Sequence, residues 1–180
     1  MKTLLATALL LASVSANAHE VSVADALELP VTQNMILHSQ AGEGLTAFVK
    51  RIAPDMAALT ESTGHEVCGV VAVTTTENDG TKPGAFSIMV GGIGSQIACF
   101  NAEIETGYTS LGRTIHTHPV KKTVRLTAID MKARGTPAGQ LRRENLNNCE
   151  FSSQDYATPG YLITCGKVLT QSGAGTSKEL

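Results

Sequence analysis

Thr114-Ile115-His116-Thr117-His118-Pro119 is the stretch on which the fold and the chemistry both turn. Its β-branched residues read as the end of a strand over Arg113–Thr117, and Pro119, which has no amide hydrogen for a ladder, stops it. Along a strand, positions i and i+2 face the same way, so His116 and His118 converge at one strand end. Two imidazoles so placed have the right geometry for two nitrogen ligands of one divalent metal. The blander reading is a pair of surface histidines.

Upstream of this strand, Leu45, Phe48, Val49 and Ile52 follow an i, i+3, i+4, i+7 pattern, which predicts an amphipathic helix from Gly44. Pro54 is expected to kink or restart it, Met56 and Leu59 continue the stripe to about Ser62, and Gly64 ends it. Val67–Thr76 reads as a strand closed by the turn Glu77-Asn78-Asp79-Gly80. Phe86–Val90 and Gln96–Ile104 read as two more strands, joined by a hairpin turn at Gly91-Gly92-Ile93-Gly94. That glycine cluster lacks the following helix and Lys-Ser/Thr of a phosphate loop. Downstream, Tyr161–Thr164 and Val168–Thr170 predict a hairpin around Gly166. The pattern as a whole is α+β: a mixed, mainly antiparallel sheet flanked by helices. Residues 19–42 read as an irregular leader, 43–172 as the domain, and 173–180 as a flexible tail.

The chain is 180 residues long with 42 % hydrophobic residues, 4 % aromatic residues and no Trp. This is a globular composition without stacking platforms for single-stranded nucleic acid. A net charge of −2 likewise excludes a general polyanion binder. Lys2, the apolar run Leu4–Val14 and Ala16-Asn17-Ala18 form the three regions of a secretory signal peptide cleaved after Ala18. No later stretch is apolar for long enough to span a membrane. The expected address is the periplasm or the medium. In such an oxidising compartment Cys68, Cys99, Cys149 and Cys165 imply two disulfides, with all three connectivities open. Residues 120–150 carry seven basic residues (Lys121, Lys122, Arg125, Lys132, Arg134, Arg142 and Arg143) against Asp130, Glu144 and Glu150. They read as a solvated insert with a short helix near Thr127–Ala133, or as a basic flap that steers an acidic partner.

A catalytic zinc needs a third protein ligand and leaves one position to water. Phe151-Ser152-Ser153-Gln154-Asp155 offers Asp155, with Ser152 three residues earlier as a hydrogen-bond donor. Thr127-Ala128-Ile129-Asp130 is a competing copy, and either could instead be a helix cap or turn. A general base is also required, and Glu66 in Gly64-His65-Glu66-Val67-Cys68-Gly69 opens a strand directly after the helix. His38 and His65 have no partners readable from the sequence, and His65 is expected to face solvent.

Glu66-x-Cys-Gly, then His116-x-His118-Pro119, then Ser152-x-x-Asp155 resembles the signature of the JAMM (MPN+) metalloprotease family, over roughly residues 43–170. The resemblance implies a sheet flanked by helices, in a layout like that of the cytidine deaminases, and one catalytic zinc per chain. By it, His116, His118 and Asp155 are the ligands, Glu66 the general acid/base, and Ser152 the hydroxyl that stabilises the oxyanion. Thr127 and Asp130 lie nearer His118, at a spacing closer to the family's usual one. The segment Phe151–Val168 nevertheless looks like its counterpart in an exported bacterial branch, which favours Ser152 and Asp155. The implied activity is hydrolysis of an amide, peptide or isopeptide, with a cell-envelope amide or an acidic peptide as substrate. Two rival readings stand beside it: a non-catalytic binding module of the same fold, and a copper protein that chelates through a mature amino-terminal His19.

Overall fold

Leu45–Thr63 is a single α-helix (α1) that lays Phe48, Val49, Ile52, Ala53 and Met56 against a sheet. The computed structural model describes residues 29–74, 85–100, 103–120, 123–135, 143–145 and 148–180. Gly64, at φ 73°, caps α1 in the left-handed conformation that only glycine adopts without strain, and its amide donates to the Thr60 carbonyl. Pro54 neither breaks nor restarts the helix. It sits on the exposed side of α1, where its ring points away from the packed stripe.

Seven strands form the main sheet in the order β1 (Thr32–His38), β3 (Phe86–Gly92), β2 (Cys68–Thr74), β4 (Tyr108–Thr117), β7 (Gly160–Thr164), β8 (Lys167–Gln171) and β9 (Lys178–Glu179). All neighbours pair antiparallel except β4 and β7. The chain is thus α+β with a mostly antiparallel sheet and few helices. Val67, Val71, Ile88, Val90, Ile115, Tyr161 and Ile163 face α1 and make the core with it. Thr117 also faces α1, where its hydroxyl bonds to that of Thr60 and accepts from the Val67 amide. Packing is tight enough to require glycine at Gly69, Gly92 and Gly160. A Cβ on Gly69 would lie 2.6 Å from the Met89 carbonyl oxygen, and one on Gly160 would lie 2.7 Å from that of Thr114.

Several boundaries differ from the sequence reading. Within the presumed leader, Thr32–His38 is an edge strand on β3, and Leu29 packs against Ile93. Gln96–Phe100 is a loop, because Asp130 engages Ser95 and Gln96 while Cys99 is tied to Cys68. Gly91 and Gly92 end β3 rather than turn a hairpin, since β3 pairs with β1 and β2. The tail is folded, with Lys178–Glu179 paired to β8 and the Leu180 amide donating to the Val168 carbonyl. The turn at residues 77–80 and the leader segment 1–18 lie outside the described residues.

Within the insert, a short helix (α2, Ala128–Ala133) opens with Thr127 in a capping box with Asp130. Thr123–Arg125 (β5) and Arg143–Asn145 (β6) pair antiparallel beside it. Disulfides join Cys68 to Cys99 and Cys149 to Cys165. No helix among the described residues is long and apolar enough to cross a membrane. The two disulfides fit an extracellular protein.

Candidate metal centre

The core face of β4 is taken by Ile115 and Thr117, so the strand's alternation turns His116 to the other face. There it stands in register between Cys68 on β2 and Leu162 on β7. His118 follows just beyond the strand end, its ring 5.0 Å from that of His116. Asp155 arrives from a separate segment, a one-turn 3-10 helix (η1, Gln154–Ala157). Its Oδ1 lies 3.4 Å from His116 Nε2, and its Oδ2 lies 3.8 Å from His118 Nε2. The three ligand atoms lie within 4.8 Å of one another, so this group could hold a metal ion. Tetrahedral coordination with bonds near 2 Å places donors about 3.3 Å apart, close to the spacing already present. His116 Nε2 is buried and, beyond its 3.4 Å approach to Asp155 Oδ1, has no hydrogen-bond partner, which suits an atom that would face an ion.

Glu66 closes the constellation. It is 8 % exposed, and its Oε1 lies 3.8 Å from His118 Nε2. The backbone that holds it is fixed from two sides, its amide donating to the Ser95 carbonyl and Val67 anchored to Thr117. Burial, then the negative charges of Asp155 and Asp130, push the Glu66 carboxyl well above the usual range. Asp155 goes the other way. Burial would raise it, but the close approach and charge of His116 and the hydrogen bonds of Ser152 outweigh that and hold it at about 2. Burial, then the charge of His116, bring His118 down to about 4. At neutral pH the site therefore presents a neutral His118 imidazole and an ionised Asp155, the forms in which each can ligate.

These residues line one open cleft of about 910 Å3. Phe151 packs edge-on against His116, and Phe100, next to the disulfide-bonded Cys99, also lines the cleft. Ser152, also on the cleft, donates its amide to Asp155 Oδ2 at 2.6 Å and so braces that carboxylate.

Asp130, the competing third ligand, does not join the group. It is fully buried, and its carboxylate accepts from the Ser95 hydroxyl, the Gln96 amide and side chain, and the amide and hydroxyl of Thr127. Thr127 is spent on the same network. Of the remaining histidines, His65 is half-buried rather than exposed, and His38 pairs with Glu105 at 2.7 Å. His19, Lys121, Lys122 and Arg142 lie outside the described residues. One residue with a role at the site escaped the sequence reading. Asn148 presents its backbone carbonyl to His118 Nδ1 at 3.3 Å, and its position beside Cys149 was the sole signal for it.

No family model matches the chain, and no curated protein or solved structure matches it.

Proposed function

We propose that the chain is an exported metal-dependent amidohydrolase or metallopeptidase of the JAMM type, with zinc held by His116, His118 and Asp155. One observation carries this reading: a buried glutamate, two strand-end histidines and an aspartate from three distant segments converge on a single cleft. His116 Nε2, buried and without a hydrogen bond beyond its 3.4 Å approach to Asp155 Oδ1, supports the same reading.

A divalent ion at this position would supply Lewis acidity toward a water molecule and the carbonyl to be split. In this reading Glu66, whose Oε1 lies 3.8 Å from His118 Nε2, would accept the proton of that water and return it to the leaving nitrogen. Its buried carboxyl, with a raised proton affinity, suits a group that must both take and give a proton. Asp155 is held ionised by Ser152 and His116, and His118 is held neutral by burial. Ser152 lines the cleft, and in this reading its hydroxyl would stabilise the developing oxyanion, a second duty beside its amide's bond to Asp155. Phe151 and Phe100 add apolar surface to the lining of the cleft. An amide of a peptide or of the cell envelope is the substrate class that fits an exported chain with this machinery.

The test is Glu66→Gln. The variant should bind one zinc per chain as the parent does and lose hydrolysis of a peptide library by at least about 100-fold. Equal turnover would refute the assigned base. A parent that takes up zinc tightly but cleaves nothing would leave a binding module of the same architecture.

A further inference from the structure

His118 has two ring nitrogens, and only one can serve the centre. Nε2 faces Glu66 and Asp155, while Nδ1 lies 3.3 Å from the Asn148 carbonyl oxygen. A neutral imidazole carries a single proton. A carbonyl at Nδ1 keeps that proton there and leaves the Nε2 lone pair pointing into the cleft.

The carbonyl is itself held on every side. The Asn148 side-chain amide donates to the carbonyl of Pro119, the residue directly after His118. The Thr164 hydroxyl donates to the Asn148 carbonyl oxygen. The next residue, Cys149, is bonded to Cys165, the neighbour of Thr164. Asn148 is 7 % exposed and Thr164 is 4 % exposed, so both sit inside the structure. Cys149, by contrast, is exposed, whereas Cys68 of the other disulfide is 3 % exposed.

We infer that Asn148 is a positioning residue and that the Cys149–Cys165 disulfide is the clasp that keeps its carbonyl over His118, so that the metal centre is complete only in the oxidised chain. The inference rests on reading His118 as a ligand. Reduction by a small dithiol breaks the Cys149–Cys165 bond, leaves two thiols, and oxidises the dithiol to its own disulfide. Its exposure makes this disulfide the first to open. With the clasp open, the carbonyl can leave Nδ1, the proton can move to Nε2, and the lone pair turns away from the cleft.

The experiment uses the full mature chain, 15N-labelled and metal-free, with ring-nitrogen NMR of the histidines at neutral pH. In the oxidised chain His118 should show a protonated Nδ1 and a bare Nε2. In the double variant Cys149→Ser/Cys165→Ser, or after selective dithiol reduction if that variant does not fold, the tautomer should become mixed. Zinc affinity, measured by competition with a chromophoric chelator, should fall roughly 10- to 100-fold. Asn148→Ala with both disulfides intact should move both readouts in the same direction. An unchanged tautomer with zinc affinity within twofold of the parent would overturn the inference. Because the tautomer needs neither metal nor substrate, a chain whose His118 follows the disulfide yet hydrolyses nothing would support the clasp and sink only the hydrolase reading.

Discussion

Replacing Asp130 by Asn separates two carboxylates that the sequence left in competition. Asp130 is fully buried, and five donors converge on it. Its Oδ2 takes the Thr127 amide at 2.6 Å, the Thr127 hydroxyl at 2.8 Å and the Gln96 side chain at 3.2 Å. An Asn there must turn its amide group toward one set of donors, leaving at least one buried backbone N–H facing another N–H. An unsatisfied buried donor costs about 1–3 kcal/mol, and the charge assistance to the remaining bonds is also lost. The expected destabilisation is roughly 3 kcal/mol, which for a domain of this size lowers Tm by roughly 6–12 °C. Zinc stoichiometry should not change, because no oxygen of Asp130 reaches the histidine pair. Asp155→Asn should do the reverse, abolishing zinc binding with a small effect on the stability of the metal-free fold. The pair is assayed by thermal denaturation of metal-free protein and by elemental analysis after zinc loading. Zinc lost in Asp130→Asn and kept in Asp155→Asn would refute the assignment of the third ligand.

The same carboxylate sets a pH dependence. Hydrogen bonds to Thr127, Ser95 and Gln96 outweigh burial and hold Asp130 below its ordinary 3.8, so its contribution is present above that value and lost as pH falls through the folded pKa. Below about pH 4 the parent should therefore lose stability more steeply than Asp130→Asn, as measured by denaturant titration across acid pH. Gly69→Ala would drive a Cβ to 2.6 Å from both Ile88 Cγ2 and the Met89 carbonyl oxygen, with an expected loss of about 1–3 kcal/mol in urea unfolding. Removing Lys178–Leu180 should cost roughly 1 kcal/mol through the lost β8 pairing and the Leu180 amide bond, where a flexible tail would cost nothing.

What was legible in the sequence is what its own neighbours determine. The stripe Leu45–Leu59 and the His-x-His spacing each declare themselves within a few residues, and both stand in the structure at those positions. The edge strand Thr32–His38 does not, because it is exposed at most positions and its Gln33 and Asn34 break any apolar alternation. Ile97, Ala98 and Phe100 look like strand residues. Their course, however, is set by bonds of Ser95, Gln96 and Cys99 to distant Asp130 and Cys68, which no local pattern encodes. The polar tail is ordered by backbone ladder bonds, to which side-chain composition is blind. The preference for Asp155 over Asp130 rested on the resemblance of the segment Phe151–Val168 and not on any local pattern. Both sit three residues after a hydroxyl, and only the network that surrounds each shows which carboxylate is spent.

The division of labour along β4 explains why such a centre can be stiff before any ion arrives. β4 is paired on both sides, to β2 and to β7, and its alternate residues Ile115 and Thr117 are locked into the α1 core. His116 therefore inherits its position from a fully bonded strand, and the cost of ordering it is met when the chain folds. Asp155 is different. It stands on a single 3-10 turn held by Ser152 at its carboxylate and by Gln171, whose side chain donates to the Asp155 carbonyl at 2.7 Å. The imidazole pair is thus the rigid half of the site and the carboxylate the adjustable half. Gln171→Ala should accordingly weaken zinc binding while leaving the His116–His118 geometry intact. A loss of affinity as large as that of Asp155→Asn would mean that the short turn, and not the strand, carries the preorganisation.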